Sequence, residues 1–278
     1  MAAPDAGAVD GTDAGAEVAV RTFDPRWSHV TAPKKGEPLA IGQPGAGCVQ
    51  GAVALPLHGA NWIVVRPERH REFGHPSLIS YLRKLAALAR KDQLGLLAVG
   101  DLGQPRGGPT PSGHRSHQSG LDVDLWYGPP AKSFSPGKTP PPSAPSVVNM
   151  RTNKMLPAWN GRVERLLEAA ASSSAVDRIF VHPAVKRALC EDKARRGPWL
   201  ARLRPWWGHQ DHFHVRLRCP EDSPDCTLPQ PLPDGEGCDA IKWWFSEDAR
   251  KSAAKRGSPG ENAPAMPEKC EEVLGNQN

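Results

Sequence analysis

Two short segments hold five of the ten histidines in this 278-residue chain. The first runs Gly113-His-Arg-Ser-His-Gln-Ser-Gly-Leu-Asp-Val-Asp-Leu-Trp-Tyr127, and the second runs Gly208-His-Gln-Asp-His-Phe-His-Val-Arg-Leu-Arg218. Alternation in the first places Leu121, Val123, Leu125 and Tyr127 on one face of a strand and Asp122, Asp124 and Trp126 on the other. Two carboxylates on one buried face need a compensating cation, either a divalent metal or an arginine. His117 lies upstream of Asp124, across a Ser-Gly turn that can fold its imidazole over the polar face. In the second segment His212, His214, Arg216 and Arg218 share a face, and Phe213, Val215 and Leu217 share the other. Histidines two apart on a strand lie roughly 6.5–7 Å apart at the backbone. Both can reach one metal, or one can bind it while the other contacts its water. The candidate ligands are thus His117, Asp124 and His214, with His212 equally eligible on spacing alone. Three nitrogen and carboxylate ligands leave zinc an open position for water, the pattern of a catalytic site.

Other chemistries fit less well. No H-E-x-x-H helix motif and no G-x-S-x-G nucleophile elbow occur. Asp122 either orients a ligating imidazole or is a simple surface carboxylate or arginine partner. Trp126, Trp206 and Trp207 are candidates for the cleft wall or for the core. His29, His58, His70, His75 and His182 stand alone and read as surface or structural imidazoles.

The elements that must position these residues can be read around them. Residues 1–36, rich in Gly, Ala, Asp and Pro, read as a flexible leader, and the folded region begins near Leu39. Apolar runs at 52–56 and 61–65 read as strands. Pro76 followed by Leu78, Leu82, Leu85 and Leu88 predicts a helix over 77–91, and Leu94 to Leu102 reads as a buried strand. A Pro-rich stretch at about 128–145 reads as a surface insertion. Trp159, Val163, Leu166, Leu167 and Ala170 predict a second helix; a strand over Val176 to Val181 and a helix from Pro183 follow. Past Cys219 the chain reads as loop with an apolar patch at Ile241 to Phe245, and as a polar tail from Glu247. Strands and helices interleave without a regular repeat. That pattern predicts an α+β fold, a single domain with a central antiparallel sheet flanked by helices and loops.

Hydrophobic residues at 38%, charged residues at 23% and a formal charge of +5 describe an ordinary globular chain. No run is long and apolar enough to span a bilayer, and no basic, aromatic-laced stripe suggests nucleic acid. Six widely spaced cysteines (Cys48, Cys190, Cys219, Cys226, Cys238 and Cys270) include no C-x-x-C pair. They suggest three disulfides and an oxidising compartment, with the connectivity open. Residues 1–20 supply neither the basic start nor the apolar core of a secretory signal. A periplasmic protein whose signal has been removed is the expectation.

The segment S-G-H-R-S-H-Q-S-G-L-D-V-D, with the later H-x-x-H-F-H-V-R-L-R-C-P, resembles the penicillin-insensitive murein endopeptidases. These belong to the wider group that includes lysostaphin-type endopeptidases and D-Ala-D-Ala dipeptidases. R-E-F-G-H-P near Phe73, G-D-L-G-Q-P-R-G-G from Gly100 and L-R-P-W-W from Leu203 extend the resemblance over about residues 37–270, within a domain placed at 37–275. The resemblance implies one zinc ion held by His117, Asp124 and His214, with His114, His209 and His212 as accessory catalytic histidines. It implies disulfides pairing Cys48 with Cys270, Cys190 with Cys238, and Cys219 with Cys226. The implied activity is hydrolysis of the D-alanyl–diaminopimelyl cross-bridge between peptidoglycan stem peptides, unaffected by β-lactams. A homodimer is one possible assembly. His212 is the implied base, with Asp211 its rival; on a regular strand Asp211 would face away from His214. A D,D-carboxypeptidase or dipeptidase with the same zinc chemistry and a non-catalytic wall-binding module are the alternatives.

Overall fold

Alternation over residues 121–127 and 212–218 is realised as the two central strands of a six-stranded sheet. The computed structural model describes residues 24–111, 116–129, 143–228, 230–254 and 264–275. After a one-turn helix over Arg26–His29 comes a hairpin, formed by β1 (Leu39–Gln43) and β2 (Ala46–Gln50). Then follow β3 (Trp62–Val64), α1 (Pro76–Lys91), β4 (Leu97–Val99) and β5 (Asp122–Trp126). The second half holds α2 (Gly161–Ser172), β6 (Val176–Val181), α3 (Pro183–Glu191), β7 (Leu203–Pro205) and β8 (His212–Leu217).

The sheet order is β7-β6-β8-β5-β4-β3. Its three central pairings are antiparallel, as expected. Each edge adds a parallel strand, because α1 connects β3 to β4 and α3 connects β6 to β7. A parallel neighbour requires such a crossover, and a helix supplies it. Both helices start at a His-Pro step with proline in the first turn, where its missing N–H costs nothing. His75 Nδ1 accepts from the Ser77 backbone N–H at 3.2 Å, and His182 Nδ1 accepts from Ala184 at 3.1 Å.

Helices α1, α2 and α3 lie against one side of the sheet. Leu78, Leu82 and Leu85 of α1, Leu166 and Leu167 of α2, and Val185 and Leu189 of α3 bury Leu97, Val99, Val123, Leu125, Phe213 and Val215. Burying such side chains stabilises the fold by roughly 1.5–3 kcal/mol each. It also forces the alternate residues of β5 and β8 onto the opposite face.

Three expectations change. The hairpin over residues 39–50 was hidden by its glycines and Pro44, which interrupt any alternating pattern. The chain is anchored upstream of residue 36: Trp27 and Val30 pack with Ile41, Cys48 and Cys270, while residues 1–23 of the expected leader lie outside the described residues. The region from Glu247 is not a plain polar tail. It contains the helices Glu247–Ala254 and Lys269–Leu274, and Val273 and Leu274 are buried beside Cys270. Most of the Pro-rich insertion, residues 130–142, lies outside the described residues. Disulfides join Cys48 to Cys270, Cys190 to Cys238 and Cys219 to Cys226, the pairs that the resemblance implies. Among the described residues no helix is long and apolar enough to cross a membrane.

Candidate metal centre

The sheet face turned away from the helices carries the polar residues. Register puts His214 opposite Asp124, Arg216 opposite Asp122 and His212 opposite Trp126. His117 reaches this face from the loop before β5. Its backbone is left-handed, with φ at 70°, and its N–H donates to Asp122 Oδ2 at 2.9 Å. The neighbouring Gln118 holds the loop to the hairpin. Its N–H donates to the Pro44 carbonyl, and its side-chain amide donates to the Gly45 carbonyl. Gly107, also left-handed, lies against this loop; a Cβ there would come within 1.9 Å of the Gln118 carbonyl. The hairpin, which no alternating pattern marked, therefore supports the loop that carries the candidate ligand His117.

His117, Asp124 and His214 each present one donor atom, all within 4.8 Å of one another. Asp124 Oδ1 lies 3.5 Å from His117 Nε2 and 3.1 Å from His214 Nδ1. All three side chains are buried. Behind them, Asp122 accepts a two-point bond from Arg216, at 2.8 and 3.1 Å, and lies 3.5 Å from His214 Nε2. Asp122 is not a surface carboxylate: it is fully buried, is an arginine partner and abuts a candidate ligand.

Charge explains why such a cluster calls for a cation. Burial pushes Asp122 up, but Arg216 and His214 outweigh it and hold the carboxyl far below its usual range. Burial likewise raises Asp124, and His117 and His212 more than offset it. His117 is pushed down by burial yet raised to about 9, because Asp124 and Asp122 face it. Arg216 balances one carboxylate, and a proton on an imidazole balances the other. A divalent ion would replace that proton, and two imidazoles with one carboxylate suit zinc.

Beside the triad lies a second dyad. Asp211 Oδ1 accepts from His212 Nδ1 at 2.6 Å, and His212 Nε2 lies 3.7 Å from Asp124 Oδ1. The expected rivals for the base are thus partners. The alternation rule failed here because β8 begins at His212, so Asp211 belongs to the preceding turn. Burial lowers the pKa of His212, but Asp124 and Asp211 raise it on balance. His209 stands with its ring centroid 5.0 Å from that of His212, and its Nδ1 faces the Trp206 and Trp207 carbonyls at 3.3 and 3.2 Å. Burial and the neighbouring His212 and His214 press its pKa down to about 3. His114 lies outside the described residues.

The three tryptophans separate. Trp126 is buried against Val65 and Ala98, Trp207 packs on His182 and Trp244, and Trp206 remains 37% exposed. Phe180, which sequence reading did not single out, stacks edge-on to His214 at 5.4 Å and to Trp206 at 5.8 Å. Its position in the alternation of β6 was the available signal, obscured by a bulge between Val176 and Arg178.

Residues 40–275 match the family described as penicillin-insensitive murein endopeptidase. The chain belongs to that family. The protein of that name from Yersinia enterocolitica is 42% identical over 253 residues, covering 90% of both chains. The one from Yersinia pestis is 39% identical over 252 residues, again covering 90% of each. A Salmonella paratyphi C relative of the same name is 38% identical, covering 89% of this chain and 90% of its own. This murein endopeptidase family member is thus a peptidase, and its possible metal site is the His117–Asp124–His214 cluster.

Proposed function

We propose that this protein is a zinc endopeptidase of the periplasm that hydrolyses the D-alanyl–meso-diaminopimelyl cross-bridge of peptidoglycan. The observation that carries the reading is a buried His/Asp/His triad with a His–Asp dyad beside it, on the sheet face opposite α1, α2 and α3. The compartment follows from murein as substrate and from three disulfides without a free thiol among the described residues.

His117, Asp124 and His214 would hold the zinc. When bound, zinc supplies a Lewis acid that acidifies water toward neutral pH and polarises a carbonyl. Asp122 keeps Arg216, the His117 backbone and the His214 ring in register, so it acts by positioning. His212 is the general base. Its Nδ1–H is committed to Asp211, so Nε2 takes the water proton and then delivers it to the leaving amine. Asp211 fixes that tautomer and stabilises the imidazolium, in the way a carboxylate serves a catalytic histidine. His209 carries its hydrogen on Nδ1, because carbonyl oxygens can only accept. Its Nε2 is left as an acceptor that can orient a substrate N–H. His114, which lies outside the described residues, stays the accessory histidine that the resemblance implies. No acylable serine takes part, so β-lactams do not inhibit.

Digestion of purified peptidoglycan, followed by mass analysis of the fragments and metal analysis of the protein, tests this reading. Loss of cross-linked dimers by a protein carrying one zinc per chain is the expected result. Release of terminal D-alanine alone would assign a carboxypeptidase instead, and an unchanged digest with zinc bound would assign a binding module.

A further inference from the structure

The turn that follows β3 carries three arginines: Arg66, Arg69 and Arg71. Two of them are committed. Asp101 Oδ2 accepts from Arg69 at 2.9 Å and from Arg71 at 2.7 Å, and Asp101 is itself buried. Arg66 differs. Its guanidinium carbon lies 5.6 Å from the ring centroid of Trp126, and the preceding Val65 packs on the same ring. Its Nε is buried, with no hydrogen-bond acceptor in reach and no carboxylate paired to the group among the described residues. A buried guanidinium N–H without an acceptor is disfavoured, and it is made good by an anion that fits.

Its place relative to the dyad gives the anion an identity. Trp126 is the register partner of His212, and the Arg66 guanidinium lies against the Trp126 ring, on the β5 side of the residue that would protonate the leaving amine. On the other side of β8, Phe180 pairs with His214 and its ring meets those of Trp206 and His209. The polar face is therefore flanked by the Arg66 guanidinium beyond β5 and by aromatic rings on the β6 side. In a D-alanyl–diaminopimelyl cross-bridge, the carbon bearing the scissile nitrogen also carries a free carboxylate, because the second carboxyl of that residue lies outside the peptide bonds. That carboxylate travels with the leaving amine. Resting on the endopeptidase reading above, we propose that Arg66 is a specificity-determining residue that binds the free carboxylate of the leaving diaminopimelyl unit.

The test pairs a protein change with a substrate change. Arg66→Gln and Arg66→Lys are assayed, zinc-loaded, on two cross-linked muropeptide dimers, one with this carboxylate free and one with it amidated. Wild type prefers the free dimer by about tenfold or more in kcat/KM, the scale of one charge-assisted bond. Arg66→Gln loses that preference, chiefly through a raised KM on the free dimer, and cleaves the amidated dimer as wild type does. Arg66→Lys, which keeps the charge, retains part of the preference. Unchanged thermal midpoint and zinc content accompany these results. Equal losses on both dimers, or no loss on either, overturn the role of Arg66 and leave the endopeptidase reading standing. A zinc-loaded wild type that cleaves neither dimer overturns that reading and this inference with it.

Discussion

His75 and His182 are as deeply buried as His117 and His214, with exposures of 2%, 0%, 2% and 3% respectively, yet the two pairs do opposite work. The first two cap helices. Burial lowers the pKa of both, that of His182 to about 4, so each stays neutral and its Nδ1 accepts a backbone N–H. His117 is raised to about 9 because Asp124 and Asp122 overcome the same burial. Burial alone therefore says little about a histidine. The buried carboxylates decide, and they are present because helices packing on one face of β5 force Asp122 and Asp124 onto the other.

The sharpest way to break this contrast is to remove the charge. Asp124→Asn is expected to lose bound metal and to reduce activity by more than the roughly 10–100-fold typical of outer-shell positions; metal analysis and muropeptide turnover check it. Next in size, His212→Ala should lower kcat by on the order of 10²–10⁴-fold while keeping the metal. Asp211→Asn should cost less than His212→Ala, because the base remains but loses its fixed tautomer. A His212→Ala protein of near wild-type kcat would overturn the assigned base.

Stability tests the other side of the comparison. Replacing Cys48 and Cys270 by serine opens the link between the hairpin and the C-terminal helix and should cost about 2–5 kcal/mol in chemical denaturation. Because the hairpin holds Gln118, metal retention should weaken as well. His182→Ala removes a cap and should cost about 0.5–2 kcal/mol with the metal still bound.

The smallest effect has the clearest sign. In the chelator-treated protein, His182 has a folded pKa of about 4, below its ordinary 6.5. Its contribution to stability is present above 6.5 and is lost as pH falls toward 4. His117 has a folded pKa of about 9, above its ordinary 6.5. Its contribution is present below 6.5 and is lost as pH rises through 9. Thermal midpoints against pH should show an acid limb flattened by His182→Ala and an alkaline limb flattened by His117→Gln. If either substitution flattened the wrong limb, the contrast between the two kinds of histidine would fail.

Much of the site was legible before the fold. Strand alternation is local and strict, so it placed Asp124 and His214 on one polar face and Val123 and Val215 in the core. Helical spacing likewise marked α1, whose observed span Pro76–Lys91 adds one residue to the expected 77–91. What alternation did not reach were residues outside regular strands. His117 depends on a left-handed backbone, on a bond to Asp122 and on a hairpin some seventy residues upstream. Asp211 turns toward His212 because it precedes the strand, and Arg66 meets Trp126 only through the crossover that makes β3 and β4 neighbours in the sheet.

The sequence by itself determined the donor types, the face they share and the family to which they point, because those follow from residue identity and a two-residue period. Tertiary structure decided which histidine receives a carboxylate, which caps a helix, and which arginine rests on Trp126 without a carboxylate among the described residues. Those outcomes depend on pairing residues far apart in the chain, and local pattern carries no information about such pairing.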